Sequence, residues 1–259
     1  MKKTSRIGLL VSWIALMVIG SASALGGELD AFQPSLKTSA DPGSNLYVVL
    51  GGNGTCRNPL SSQIPGLINA KLFDAFNRWI LWNGVAKRSD NVIYACYEWL
   101  SPQMQYYNLR AGVSQMTIID ETQLDDVVIA SAQNVRKIII IGHSHAGWRA
   151  MKLASSPALL NATNVPIVLA SMDPVSRVTC QQVRQPGCRE APRDFSAEEF
   201  YQLNTRTTWL NIYHQPAVFL GSGPIAAAHY NLHVLVNHIS MENDNSTWRS
   251  VTQFVVNNL

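Results

Sequence analysis

Short runs of apolar, mostly β-branched residues alternate along the chain with stretches in which apolar residues recur every three or four positions. The continuous runs predict strands buried on both faces, and the spaced positions predict amphipathic helices. Strands are predicted at 46–50, 92–96, 138–141, 165–171, 208–213 and 232–236. Helices are predicted at 68–83, after 120, at 145–154 and after 245. This alternation favours an α/β fold, with a mostly parallel central sheet and helices on both faces.

Capping and breaking residues mark where these helices begin and end. Asp120 is followed three residues later by Gln123, a capping-box pattern that predicts a helix start. The helix that begins at His145 is predicted to end at 155–157, where two serines and a proline follow one another. The stretch 175–207 is charged and contains prolines and two cysteines, so we expect an insertion over one end of the sheet rather than a second domain.

Composition and charge limit the class of protein. The 259 residues are 47% hydrophobic and 14% charged, which fits a single globular domain at 25–259. The formal net charge of +3 comes from Lys2, Lys3 and Arg6, because the rest of the chain has as many acidic as basic residues. A nucleic-acid-binding protein would carry a basic patch in its folded part, so no nucleic-acid partner is expected.

Residues 1–24 have the pattern of a secretory signal peptide. The three basic residues precede an apolar run at 7–20, and small residues follow at 21–24. The run is shorter than the roughly 20 residues that span a bilayer. We therefore expect the signal peptide to be cleaved and no stable membrane span to remain. An uncleaved membrane anchor is the alternative. The compact leader is typical of bacteria and predicts a periplasmic or secreted protein.

The four cysteines of an exported chain favour disulfides, and their number allows three pairings. Cys180 and Cys188 flank a short loop and form a natural local pair. Cys56 and Cys96 each follow a predicted strand and would meet if those strands are neighbours. No Cys-x-x-Cys motif occurs, which argues against a zinc ribbon or a thioredoxin-like centre.

The most informative motif follows the strand at 138–141, where the chain reads Gly142-His143-Ser144-His145-Ala146-Gly147 and then enters a predicted helix. A strand, a sharp turn and a helix are the context of the nucleophile elbow G-x-S-x-G, here with Ala146 at the second glycine position. Such a turn would expose the Ser144 hydroxyl at the end of the strand. The helix N-terminus and the His145 amide can stabilise negative charge beside it.

In these residues the chain resembles the α/β-hydrolase family of lipases and esterases, and the resemblance covers most of the mature sequence. That family places its catalytic residues in the chain order Ser, Asp or Glu, His. The resemblance therefore implies Ser144 as nucleophile, Asp173 as the acid after a late strand, and His238 as the base near the C-terminus. It also implies an oxyanion hole formed by the His145 amide and an amide of the glycine-rich loop 51–55, with Gly52 and Asn53 as the candidates.

Other residues compete for the roles of acid and base. His233 and His214 also follow predicted strand residues and are the alternative bases. Asp194, Glu198 and Glu199 lie in the insertion and are the alternative acids. Asp120, Asp125 and Asp126 precede the serine and therefore fit the chain order of the family badly.

The implied reaction is acyl transfer through an acyl-enzyme on Ser144, without metal or cofactor. An acyl ester or lipid is the expected substrate, while thioesterase, amidase, acyltransferase and peptidase activities stay open. The apolar stretches at 180–200 and 216–228 would then form a lid or acyl pocket, or else pack in the core.

Two other classes of function remain as alternatives. The first is an inactive hydrolase fold that serves as a binding protein, because a fold does not determine a function. The second is a metal-dependent hydrolase that uses His143, His145 and Asp173. The H-x-H-x-D-H motif of such enzymes would require Asp and His at Gly147 and Trp148, where this chain has neither.

Overall fold

The computed structural model describes residues 43–53, 71–97, 103–108, 117–176, 192, 194–214 and 222–259. Several sequence-based expectations fall outside these residues: the signal peptide at 1–24, the start of the helix predicted from 68, Cys56, Cys180, Cys188, and most of the two lid stretches. In the described part of the chain, no helix is long and apolar enough to cross a membrane.

Within these residues, eight strands form one sheet in the order β4-β3-β2-β1-β5-β6-β7-β8. They are β1 (Asn45–Asn53), β2 (Asn91–Tyr97), β3 (Met104–Asn108), β4 (Thr117–Ile119), β5 (Lys137–His143), β6 (Ile167–Met172), β7 (Thr207–Tyr213) and β8 (Tyr230–His233). Six of these strands run parallel to one another: β2, β1, β5, β6, β7 and β8. The other two, β3 and β4, extend the β2 edge in antiparallel pairing. The predicted mostly parallel α/β architecture is confirmed.

The described helices are α1 (Lys71–Phe76), which continues as a π-helical turn (Asn77–Leu81), α2 (Glu121–Ser131), α3 (His145–Ala154), α4 (Pro157–Ala162), α5 (Ala197–Arg206), α6 (His238–Met241) and α7 (Asn245–Asn257). The capping box of Asp120 and Gln123 starts α2 as predicted. A second capping box, formed by Ser196 and Glu199, starts α5 inside the stretch expected to be an insertion.

Both faces of the sheet are buried under helices, which explains the continuous apolar runs of its central strands. On β1, Leu46, Val48 and Leu50 belong to one core cluster, and Tyr47 and Val49 belong to the cluster on the opposite face. Residues of α2, α3, α4 and α5 pack into the first cluster, and residues of α1 and α7 pack into the second. Fully burying such a side chain stabilises the fold by about 1.5–3 kcal/mol.

The last strand begins and ends earlier than the apolar run at 232–236 predicts. It spans Tyr230–His233, and three of its four side chains are exposed. Pairing stops at His233 because its partner, Tyr213, is the last residue of β7. The apolar residues that follow therefore lead into α6 instead of extending the sheet.

The parallel arrangement places the carboxyl ends of β1, β5, β6 and β7 along one edge of the sheet. Ligand and catalytic sites of parallel α/β sheets lie at this edge. Gly52, Ser144, Asp173 and His214 are all at these strand ends. At the end of the neighbouring β2, the buried Cys96 is disulfide-bonded, and the other three cysteines lie outside the described residues.

Candidate active site

The turn after β5 holds Ser144 in a conformation that residues other than glycine rarely adopt. Its φ is 60° and its ψ is −132°, a strained region that costs on the order of 1–3 kcal/mol. Two backbone hydrogen bonds fix this turn: the Ser144 amide donates to the Met172 carbonyl at 2.9 Å, and the Val175 amide donates to the Ser144 carbonyl at 3.1 Å. The turn therefore has the sharp geometry that the sequence motif predicts.

Small residues make this turn sterically possible. A Cβ atom at Gly142 would overlap the Ala146 carbonyl oxygen and lie 2.8 Å from the Ala150 Cβ. A Cβ atom at Gly52 would lie 2.7 Å from the Ser144 Cβ. The end of β1 and the start of α3 thus approach the turn so closely that only glycine fits at these two positions.

Ser144, His238 and Asp173 form a continuous chain of hydrogen bonds. The Ser144 Oγ and the His238 Nε2 are 2.8 Å apart, and the His238 Nδ1 and an Asp173 carboxylate oxygen are also 2.8 Å apart. His238 is the first residue of α6, which the side chain of Asn237 caps by accepting a hydrogen bond from the Ser240 amide. Residues up to 94 positions apart in the sequence are thereby brought into one arrangement.

The carboxylate of Asp173 is fully buried and accepts several hydrogen bonds. Its second oxygen accepts from the Ser222 amide at 2.7 Å, the Ser222 hydroxyl at 3.0 Å and the His214 amide at 3.2 Å. Burial alone would raise the pKa of Asp173, but the hydrogen bonds from His238, Ser222 and His214 outweigh it and bring that pKa below its usual value. Asp173 is therefore ionised at neutral pH.

The loop that carries Ser222 is held by the side-chain amides of the buried Asn211 and of Asn231 on β8. The Asn211 side chain donates to the Gly223 carbonyl at 3.1 Å and to the Asn231 side chain at 2.9 Å. Asn231 in turn binds both the amide and the carbonyl of Ile225, at 2.8 and 3.0 Å. Because both side-chain amides have hydrogen-bond partners, they fix the position of the loop that presents Ser222 to Asp173.

His238 is buried, and its surroundings favour the neutral imidazole. Burial lowers the pKa of His238, the hydrogen bond with Asp173 raises it, and the nearby His143 lowers it; the net pKa lies below the usual value. With its Nδ1–H donated to the ionised Asp173, the neutral ring presents the lone pair of Nε2 to the Ser144 hydroxyl. This is the tautomer in which a histidine can accept a proton from a serine.

A second histidine and a second carboxylate lie behind His238. The rings of His143 and His238 have their centroids 4.8 Å apart, and the His143 Nε2 lies 2.9 Å from the His238 carbonyl oxygen. The His143 Nδ1 is 3.6 Å from a carboxylate oxygen of the buried Glu242. Neither Glu242 nor Ser222 is predicted from the sequence, because no local motif marks either residue.

Of the residues expected to form an oxyanion hole, His145 and Gly52 lie beside Ser144. His145 is the first residue of α3, so its amide is at the helix N-terminus directly after Ser144. The His145 ring lies between those of Tyr97 and Trp148, at centroid distances of 4.7 and 4.9 Å. Gly52 lies so close to Ser144 that a Cβ atom on it would overlap the serine side chain. Asn53 is the last residue of β1.

The two alternative bases, His233 and His214, make other contacts than a hydrogen bond with Ser144. His233 stacks on Tyr213 at a centroid distance of 5.4 Å on the edge strand. His214 supplies its backbone amide to Asp173. His238 is the histidine that the structure places within hydrogen-bond distance of Ser144.

The alternative acids have partners on the outside of α3 and α5. Asp194 accepts a hydrogen bond from the Trp148 indole at 2.8 Å, and Glu199 pairs with Lys152 at 2.7 Å. Glu198 accepts a hydrogen bond from Gln202 on the exposed surface of α5. Among the described residues, no group of three His, Cys, Asp or Glu side chains is arranged to hold a metal ion.

A scan against protein-family models and a search of curated proteins give no match to this chain. Among solved structures, the chain is similar to the crystal structure of proline iminopeptidase from Mycobacterium smegmatis, with a TM-score of 0.39 and 9% sequence identity. The similarity covers 84% of this chain and 91% of that chain. A similarity this distant carries no argument about activity, so the function is inferred from the geometry of the site.

Proposed function

We propose that this protein is an exported serine hydrolase of the α/β-hydrolase superfamily that cleaves an ester or thioester. The observation that carries the proposal is the unbroken hydrogen-bond chain from Ser144 through His238 to Asp173. A serine on a strained strand-to-helix turn, a neutral buried imidazole and an ionised carboxylate together have the geometry required for nucleophilic acyl transfer.

In the proposed acylation step, the His238 Nε2 removes the proton of the Ser144 hydroxyl. The Ser144 Oγ attacks the carbonyl carbon of the substrate at the same time. The tetrahedral oxyanion is stabilised by the His145 amide and by an amide of Gly52 or Asn53. His238 then gives its proton to the departing alcohol or thiol, leaving an acyl-enzyme. Water activated by His238 releases the acid and restores the serine.

Exposed apolar side chains next to His238 support an apolar acyl group on the substrate. Leu235 is 92% exposed and Ile239 is 53% exposed, and both lie within three residues of His238 in the sequence. Exposed apolar residues beside a binding site commonly contact an apolar part of the ligand. We therefore propose an esterase or lipase-type activity on acyl esters.

The test combines an active-site probe with a substrate series. A fluorophosphonate should label the purified protein, and Ser144→Ala should abolish both the labelling and the hydrolysis of p-nitrophenyl esters of increasing chain length. Ser240→Ala, which alters an exposed serine of α6, is the matched control and should be labelled normally.

Each contrary outcome points to a different function. Folded protein that is neither labelled nor active would favour a binding protein. Activity that survives Ser144→Ala and is lost with a chelator would favour a metal-dependent hydrolase.

A further inference from the structure

Behind His238 lies a pair of buried groups, His143 and Glu242, that the proposed acyl-transfer steps do not use. His143 is 3% exposed and Glu242 is 1% exposed. A carbonyl oxygen can only accept, so the His143 Nε2 must donate its proton to the His238 carbonyl. A neutral His143 therefore has only a lone pair at Nδ1, the atom that faces Glu242.

In the described residues, the contact between His143 and Glu242 is not a hydrogen bond. The His143 Nδ1 and the Glu242 carboxylate are 3.6 Å apart, and in the described part of the chain neither oxygen of that carboxylate accepts a hydrogen bond. Two lone pairs buried against each other are unfavourable, whereas a proton held between them leaves the pair without net charge.

We propose that Glu242 is a positioning residue for the proposed acyl-transfer reaction, acting with His143 to hold His238 in place and to offset the positive charge that His238 acquires. This inference rests on the proposed function of Ser144 as nucleophile. Within the part of the chain that the structure describes, three titratable side chains lie around the His238 ring: Asp173 after β6, His143 at the end of β5, and Glu242 directly after α6.

The two members of the pair act on His238 in opposite directions. Charge on Glu242 raises the pKa of His238, and charge on His143 lowers it. When His238 takes the serine proton, a carboxylate at Glu242 favours the new imidazolium and a proton on His143 opposes it.

The experiment compares the pH dependence of kcat/KM for a p-nitrophenyl ester in two variants, one for each member of the pair. Glu242→Gln removes the carboxylate and should move the acid limb of the profile to lower pH, with a loss of about tenfold in the plateau value. His143→Gln retains an amide donor for the His238 carbonyl but removes the ring charge, so its acid limb should move to higher pH. Glu198→Gln on the exposed face of α5 is the control and should leave the profile unchanged.

Opposite shifts are a result that a purely structural role would not produce. If both variants lose thermal stability but keep the wild-type acid limb, the proposal is wrong. If Glu242→Gln does not fold, Glu242→Asp replaces it in the experiment. This variant keeps the carboxylate and must retain a wild-type acid limb. A shift of its acid limb to lower pH would refute the proposal. A wild type that is inactive and unlabelled by fluorophosphonate would instead overturn the proposed function, which keeps the two failures distinguishable.

Discussion

Two histidine–carboxylate pairs lie side by side at the carboxyl edge of the sheet, and they differ in how their carboxylates are bonded. Asp173 accepts hydrogen bonds from His238, from Ser222 and from the His214 amide. Glu242 is as deeply buried, but in the described residues His143 is its one ion-pair partner and its oxygens accept no hydrogen bond.

This difference shows that donors, more than depth of burial, decide the state of a buried acid. Asp173 has a pKa below its usual value although burial acts to raise it, because donors converge on both of its oxygens. A fixed negative charge suits a group that must hold His238 in one tautomer. In the described residues, no donor reaches the Glu242 carboxylate, so the second pair lacks the hydrogen bonds that surround Asp173.

The largest expected effect comes from changing the acid of the first pair. Asp173→Asn keeps the size of the side chain. An amide has only one oxygen, so it cannot accept a hydrogen bond from His238 and also the three hydrogen bonds that the other carboxylate oxygen accepts. The variant should favour the tautomer of His238 that carries its proton on Nε2, which cannot accept the serine proton. We expect kcat to fall on the order of 10⁴-fold. The measurement is kcat on a p-nitrophenyl ester, with the thermal midpoint recorded for each variant.

Asp244→Asn is the matched control for this substitution. Asp244 caps α7, and asparagine caps helices about as well, so activity should persist. If Asp173→Asn lost no more activity than Glu242→Gln, the two carboxylates would not have the different roles described above.

A smaller effect should follow from removing one donor to Asp173. Ser222→Ala deletes the hydroxyl at 3.0 Å but leaves the backbone amide at 2.7 Å, so the carboxylate keeps most of its hydrogen bonds. A hydrogen bond to a charged group contributes about 1.5–3 kcal/mol, and we expect a decrease in kcat of roughly tenfold with KM little changed. Ser240→Ala serves again as the control. An unchanged kcat would mean that the Ser222 amide alone holds Asp173.

The sequence contains strong local signals for the centre of the fold and for the turn at Ser144. The isoleucine run at 138–141 predicts β5 because only a strand buried on both faces accommodates it, and the structure confirms this strand. Asp173 and His238 are expected from chain order alone, and the structure places both within hydrogen-bond distance of their partners. Their catalytic roles remain predictions.

Features that depend on distant contacts left no local signal. Ser222 and Asp173 are 49 residues apart, and nothing around Ser222 indicates that its hydroxyl reaches a buried carboxylate. The antiparallel strands β3 and β4 are short and were not predicted, because strands of three to five residues at a sheet edge need no continuous apolar run. The apolar spacing at 68–83 likewise predicts an ordinary helix and does not indicate the π-helical turn at Asn77–Leu81.

The smallest expected effect is on stability, and it tests the state of His238 directly. Its pKa in the folded protein lies below the value in the unfolded chain, so the unfolded chain binds more protons as the pH falls through about 6.5. The contribution of His238 to the free energy of unfolding is therefore present above that pH and decreases as the pH falls towards the folded-state pKa, by about 1.4 kcal/mol for each unit of pKa difference. Denaturant unfolding at pH 7.5 and 5.5 should show a smaller loss of stability for His238→Asn than for the wild type, whereas His233→Asn on the exposed edge strand should behave as the wild type does. An equal loss in all three proteins would mean that His238 folds with its ordinary proton affinity, and burial against Asp173 would then not set its protonation state.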